Sequence, residues 1–194
     1  MSQFRPYLWV FAGPNGAGKS TLAARYLRQR LPIVNPDVIA ANLLVNALGA
    51  PDILQAGKIA IHERSALLSA RQSFAIETTL SGNSEIRLMR EAAIAGYKVN
   101  LVFVGVGSAV VSQGRVNHRV RLGLHHVSSE DILRRYPRSM GNLPVAMRLA
   151  ARTYVIDNTS KHFRLVLIRE SGTTRIVAEK LSQWAVQAIP KELR

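Results

Sequence analysis

Eight residues near the N-terminus, Gly13-Pro-Asn-Gly-Ala-Gly-Lys19-Ser20, follow the spacing G-x-x-x-x-G-K-[ST]. Residue types in that order suit one task, which is to hold the phosphates of a nucleotide. Glycines let consecutive backbone N–H groups converge on phosphate oxygens, and a helix that starts at the lysine adds its positive end. Lys19 then reaches the β- and γ-phosphates, and the Ser20 hydroxyl can ligate Mg2+. At the composition of this chain the expected number of chance matches is roughly 0.003. Phosphate binding alone does not name a reaction, because ATPases, GTPases, kinases and mechanical proteins share the loop.

The acids narrow the choice. A metal-side aspartate would follow a strongly apolar strand, yet Leu101 to Val106 leads only into Gly107 and Ser108. The remaining candidate is Glu77, which ends Ser73-Phe-Ala-Ile-Glu77 ahead of Thr78 and Thr79. Sites in parallel sheets lie at the carboxyl ends of strands; the same glutamate could also simply begin a surface loop. Asp37 stands in Ile33-Val34-Asn35-Pro36-Asp37, a short strand leading into a helix, and no other acid occurs between Met1 and Pro36. A lone carboxylate there could accept the proton of an attacking hydroxyl, or orient it for in-line attack. It could also simply be a helix N-cap, a role that does not exclude the catalytic one.

The elements that must position these groups alternate between short β-rich runs and longer amphipathic ones, the pattern of a parallel sheet with crossover helices. Tyr7 to Ala12 reads as a strand, Gly13 to Gly18 as a turn, and Lys19 to Arg30 as a helix that Pro32 ends. Pro51 and Asp52 open a helix running to about Arg71. Ser73 to Glu77 is a buried strand, Ser84 to Ala95 a helix stopped at Gly96, and Lys98 to Val106 the most hydrophobic strand. Residues 108–152 differ in texture, with eight arginines, no lysine, and Glu130 and Asp131 as the only acids. They read as two helices meeting near Gly123, a mobile arginine-bearing cover inserted before the last core strand, Thr153 to Ile156. A hairpin of Arg164 to Arg169 and Arg175 to Ala178 turns around Ser171 and Gly172, and Leu181 to Ala188 closes with a helix.

With 194 residues, 47% hydrophobic and 20% charged, the chain fits one globular domain, residues 1–194. No apolar run spans a bilayer, no secretory signal pattern is present, and there are no cysteines, so the expected compartment is the cytoplasm. The charge is the unusual quantity. Twenty-six Lys+Arg against twelve Asp+Glu give +14, and twenty of those cations are arginine. Guanidinium groups fork onto phosphate and carboxylate oxygens, so an acidic partner is expected: a phosphorylated small molecule, a nucleic acid or an acidic protein.

Taken together, these segments resemble the zeta-toxin family of P-loop kinases, in particular its short bacterial members. The matching residues are Gly13 to Thr21, Asn35-Pro-Asp37-Val-Ile-Ala40, Phe74-Ala-Ile-Glu-Thr-Thr-Leu-Ser-Gly82, Arg115-Val-Asn-His-Arg119-Val-Arg121 with Gly123 and His125, Asp131 to Ser139, and Asp157-Asn158. The resemblance implies a nucleotide-kinase-like P-loop sheet with ATP and Mg2+ as cofactors. It also implies transfer of the γ-phosphoryl group to a sugar hydroxyl of a UDP-N-acetyl amino sugar, and restraint by an antitoxin protein. Carried over residue by residue, Asp37 looks like the base for the acceptor hydroxyl, and Glu77 and Thr79 like acceptor-binding groups. Arg119 looks like the arginine that stabilises the transferring phosphoryl group, with Arg115, Arg121, Arg134 and Arg135 as further candidates. Gly13, Pro14, Asn15, Gly16, Ala17, Gly18, Lys19, Ser20, Thr21 and Asn158 would bind the nucleotide, Asn158 from the adenine side. Leu124 departs from the family, whose short members usually carry a second glycine there.

Two other readings use the same residues. The +14 charge suits a polynucleotide or RNA kinase, and the loop alone would also serve an ATP-dependent binding protein without transfer activity. His125 and His126 are adjacent and point in different directions with no carboxylate cluster, so they do not suggest a metal pair. Trp9 and Trp184 read as packing residues.

Overall fold

A computed structural model describes residues 5–27, 30–44, 53–121, 127–160 and 162–194. Its frame is a seven-stranded sheet in the order β2-β3-β1-β4-β5-β6-β7, made by β1 (Tyr7–Ala12), β2 (Ile33–Val34), β3 (Phe74–Thr78), β4 (Lys98–Gly105), β5 (Arg152–Asp157), β6 (Arg164–Glu170) and β7 (Thr173–Ile176). The first five strands are parallel, and β6 and β7 are antiparallel. Strands β1, β3 and β4 are apolar on both faces because helices cover both. Leu8, Val10, Phe74, Ile76, Leu101 and Phe103 pack on one side, and Phe11, Ala75, Val102 and Val104 on the other. The helices are α1 (Lys19–Leu27), α2 (Pro36–Leu44), α3 (Ile53–Ser69), α4 (Ser84–Ile94), α5 (Ala109–Arg121), α6 (Ser129–Leu149) and α7 (Gln183–Ala188).

Strand β1 lies between β3 and β4, so the loop after it opens at the point where the chain order reverses, where α/β sheets leave a crevice for ligands. The expected helix from Lys19 to Arg30 is present over Lys19–Leu27, with residues 28 and 29 outside the described residues and Arg30 in a turn, and the expected start of α3 at Pro51 and Asp52 also lies outside the described residues. The sheet is not parallel throughout, because two of its connections are too short for a crossover. Ser171 and Gly172, at φ 49° and 88°, make a two-residue turn, so β7 begins two residues before the expected Arg175.

The arginine-rich stretch forms α5 and α6 as expected, although the junction with Gly123, Leu124, His125 and His126 lies outside the described residues. Helix α6 is anchored in the core. Ile132, Ser139, Leu143, Ala146 and Met147 are buried, and the helix packs against β4, α4 and α7. The apolar stripe at Leu143, Ala146 and Met147 docks its second half into the core as a crossover helix, while its first turns reach the nucleotide loop's side of the sheet. No helix among the described residues is long and apolar enough to cross a membrane.

Candidate active site

Residues 13–18 form a bowl whose shape depends on missing side chains. Gly13, Gly16 and Gly18 sit at φ 137°, 69° and 95°. A Cβ on Gly13 would stand 2.1 Å from the Val104 carbonyl oxygen, and one on Gly18 would meet Asn158 Nδ2 at 2.8 Å and the Phe163 ring at 2.9 Å. The bowl is held from outside: Asn158 Nδ2 donates to the Ala17 carbonyl at 2.8 Å, and the buried Ser112 hydroxyl of α5 donates to the Asn15 carbonyl. Lys19 is 8% exposed and its ammonium donates to the Pro14 carbonyl at 3.0 Å, inside the loop.

Ser20, in the first turn of α1, donates from Oγ to Glu77 Oε1 at 2.6 Å. The parallel pairing of Phe11 with Glu77 causes this, since it brings the end of β3 beside the start of the loop. Glu77 Oε2 accepts from Asn35 Nδ2 at 2.7 Å, so both carboxylate oxygens are engaged and Glu77 is buried. The surface-loop alternative for Glu77 is therefore wrong. Asn35 does a second task with its other end: Oδ1 accepts the Asp37 N–H at 2.9 Å and its carbonyl accepts from Val38 and Ile39. That makes Asn35 the cap of α2 and corrects the capping alternative for Asp37. The Asp37 carboxylate stays exposed and borders the crevice.

That crevice, about 330 Å3, is shared by Lys19, Asp37, Glu77, Thr79, Arg64 and Arg135. Thr79 Oγ1 lies 2.8 Å from Ser81 Oγ, in a loop bent by Leu80 at φ 55° and held by Asn142 Nδ2, which donates to the Leu80 carbonyl at 2.9 Å. A second cavity, about 690 Å3, opens on the other side of the bowl between Gly18, Thr21, Arg115, His118 and Asn158. Arg115 Nη2 donates there to the carbonyls of Thr159 and Ser160, both at 3.1 Å. The bowl thus lies between two cavities.

Among the arginines, Arg119 lies in α5 with its side chain outside the described set, and Arg121 is exposed at the helix end and borders neither cavity. Arg135 borders the first cavity and pairs with Asp131 at 3.2 Å; Arg134 binds the same carboxylate and holds it below its usual pKa. Sequence reasoning missed Asn35, Arg64, Ser84 and Glu85. The first had a signal in the Asn-Pro dipeptide before a helix. The others come together only in the folded chain, where Arg64 of α3 reaches Glu85 of α4.

The donor set fits the groups the loop implies. Glycines at positive φ let the loop lie against Val104, Ser112 and Phe163, where a Cβ would clash, and a glycine-rich turn that opens a helix suits a triphosphate. The Ser20 hydroxyl and Glu77 carboxylate are hard oxygen donors in contact, which suits Mg2+. Among the described residues no group of three or more His, Cys, Asp and Glu could hold a metal without such help from a nucleotide.

Comparison with known proteins agrees on the fold. The family model described as "AAA domain" matches residues 8–136. A protein of Haemophilus influenzae, described only as uncharacterized, is 31% identical over 139 residues, 68% of this chain and 99% of its own length. The crystal structure of the AvrRxo1-ORF1:-ORF2 complex with ATP superposes at a TM-score of 0.74 and 17% identity, over 90% of this chain. This chain spans 61% of that one's length. A structure of the PezAT chromosomal toxin-antitoxin system of Streptococcus pneumoniae superposes at a TM-score of 0.58 and 16% identity, over 81% of this chain and 70% of the other.

Proposed function

The chain belongs to the AAA-domain family, and from that premise we propose that it is an ATP-dependent phosphotransferase that moves the γ-phosphoryl group to a hydroxyl of a small molecule. One observation carries the reading: an exposed carboxylate that caps nothing, Asp37, borders the same crevice as Lys19, while the bowl offers a second space on its other side.

In the transfer, the acceptor oxygen forms a bond to the γ-phosphorus as the bond from phosphorus to the β,γ-bridging oxygen breaks; the acceptor's proton passes to Asp37, and ADP leaves. Backbone N–H groups of residues 13–18 hold the phosphates, and Lys19 leaves the Pro14 carbonyl for their oxygens. Ser20 and Glu77 would hold Mg2+, which supplies neutralisation of phosphate charge. Asn158 and Thr21 border the nucleotide side, and Thr79 the acceptor side. Arg119 of α5 is assigned to the charge that spreads over the transferring group. Arg119→Ala then depresses the chemical step more than nucleotide affinity, by about 10³-fold or more if it acts as such arginines do elsewhere.

The finer reading is a zeta-type kinase, acting on a UDP-N-acetyl amino sugar and restrained by an antitoxin. Its support is the Glu77-Thr-Thr-Leu-Ser-Gly82 and Arg115 to Arg121 segments, together with likeness to one structure described as a toxin-antitoxin system. Incubation with labelled ATP and UDP-sugars, free sugars and oligonucleotides, followed by mass analysis, tests it. A phosphorylated UDP-sugar supports the finer reading, and label on oligonucleotide ends alone replaces it with a polynucleotide kinase.

A further inference from the structure

Helix α3 turns Gly57, Ala60 and Arg64 toward the crevice, at the spacing that places residues on one helical face. Nothing lies within 4 Å of a Cβ built on Gly57. The two smallest side chains therefore keep the space open, and Arg64 is the charged group this helix brings to it.

Arg64 is only 8% exposed, and a buried cation requires a partner. Its partner among the described residues is Glu85 of α4, through one contact, Nη1 to Oε1 at 3.4 Å. A charge-assisted bond is about 2.7–2.9 Å long, and arginine usually takes a carboxylate with two. Glu85 Oε1 instead receives its short bond, 2.6 Å, from Ser84 Oγ. A guanidinium with five N–H donors is thus held in place by one long contact. The other cations of the crevice are engaged, Arg135 by Asp131 and Lys19 by the phosphates in the reaction; of its acids, Glu77 is held by Ser20 and Asn35, and Asp37 is left for the acceptor hydroxyl.

We propose that Arg64 selects the acceptor, and that the acceptor is a hydroxyl compound carrying an anionic carboxylate or phosphate, which takes the guanidinium fork while the hydroxyl faces Asp37. Glu85 is a positioning residue that presents Arg64. The inference rests on the phosphotransfer reading.

The test uses the full chain with [γ-32P]ATP, Mg2+ and matched compounds: glycerol against glycerol 3-phosphate, and glucose against gluconate and glucose 6-phosphate. The readout is the ratio of kcat/KM for the anionic member to that for the neutral one. Wild type is expected to favour at least one anionic member by about 10- to 100-fold, with the gluconate and phosphate arms separating carboxylate from phosphate. In Arg64→Gln the ratio falls toward one. The exchanged pair Arg64→Glu with Glu85→Arg restores thermal stability lost in Arg64→Gln without restoring the ratio, as a purely structural ion pair would not do. A wild-type ratio near one, an unchanged ratio in Arg64→Gln, or a ratio restored by the exchange overturns the inference and leaves phosphotransfer standing. Label on none of the compounds overturns both for this class of acceptor.

Discussion

Glu77 spends one carboxylate oxygen on the Ser20 hydroxyl and the other on the Asn35 amide, so a single side chain ties the nucleotide loop, the cap of α2 and the end of β3. Glu77→Gln keeps the shape and removes the charge, and its amide NH2 must face a group that now donates. Because groups that orient a metal ligand typically matter by about 10- to 100-fold, the Mg2+ concentration giving half-maximal activity is expected to rise by that factor in a Mg2+ titration of the variant. An unchanged titration would separate Glu77 from the metal. Lys19, Ser20, Asp37 and Glu77 were legible in the sequence because each stands at the end of a recognisable run. Arg64, Ser84 and Glu85 were not, since residues on α3 and α4 meet only when both helices pack on the sheet. The pairing of Ser20 with Glu77 was hidden for a similar reason: it depends on β1 lying beside β3, which no local pattern records.

At the scale of elements, α2 and α3 frame the crevice proposed for the acceptor, and each rests on an unusual residue. Asn35→Ala removes the cap of α2, a loss of about 1 kcal/mol, and also leaves a buried Glu77 oxygen unpaired. A fall in Tm of at least about 2–4 °C is expected for a chain of this size in a thermal melt, with a rise in the Mg2+ requirement beside it. Gly57→Leu works in the opposite sense. It replaces a helix-interior glycine with a strong helix former, worth about 1 kcal/mol, at a position with open space around it. The melt should show equal or higher stability while the KM of the acceptor rises, and a variant that keeps its acceptor KM would show that the crevice is not where the acceptor lies. Most elements were legible from hydrophobic period and from Gly and Pro. Less legible was how residues 108–152 join the core, because arginines on the outer face of α6 masked the stripe of Leu143, Ala146 and Met147 that docks it there.

Across the molecule, Asp157 closes the C-terminal segment of β6, β7 and α7 onto the parallel sheet. It is buried at the end of β5 and accepts from Thr159, Ser182, Trp184 and Arg164, which joins β5 to β6 and α7. Burial alone would raise its pKa, but the bonds from Ser182, Thr159 and Trp184 outweigh it and hold the carboxyl at about 2, well below the ordinary 3.8 of an aspartate. A depressed carboxylate contributes stability above its unfolded pKa and loses it as pH falls through the folded one. Between about pH 4 and pH 2 the protein should therefore lose on the order of 2 kcal/mol from this group, and acid titration of Asp157→Asn by circular dichroism should lack that component. The closed sheet in turn fixes the crevice between β1, β3 and α2, where the account places the acceptor hydroxyl against Asp37. The most direct measurement is single-turnover transfer from [γ-32P]ATP to acceptor in wild type and Asp37→Asn, with ATP affinity measured in both. The account predicts a loss of transfer of about 10²- to 10⁴-fold with ATP affinity within about twofold, since Asp37 borders the acceptor space and holds no phosphate. Equal losses of binding and transfer, or transfer that survives in Asp37→Asn, would contradict it.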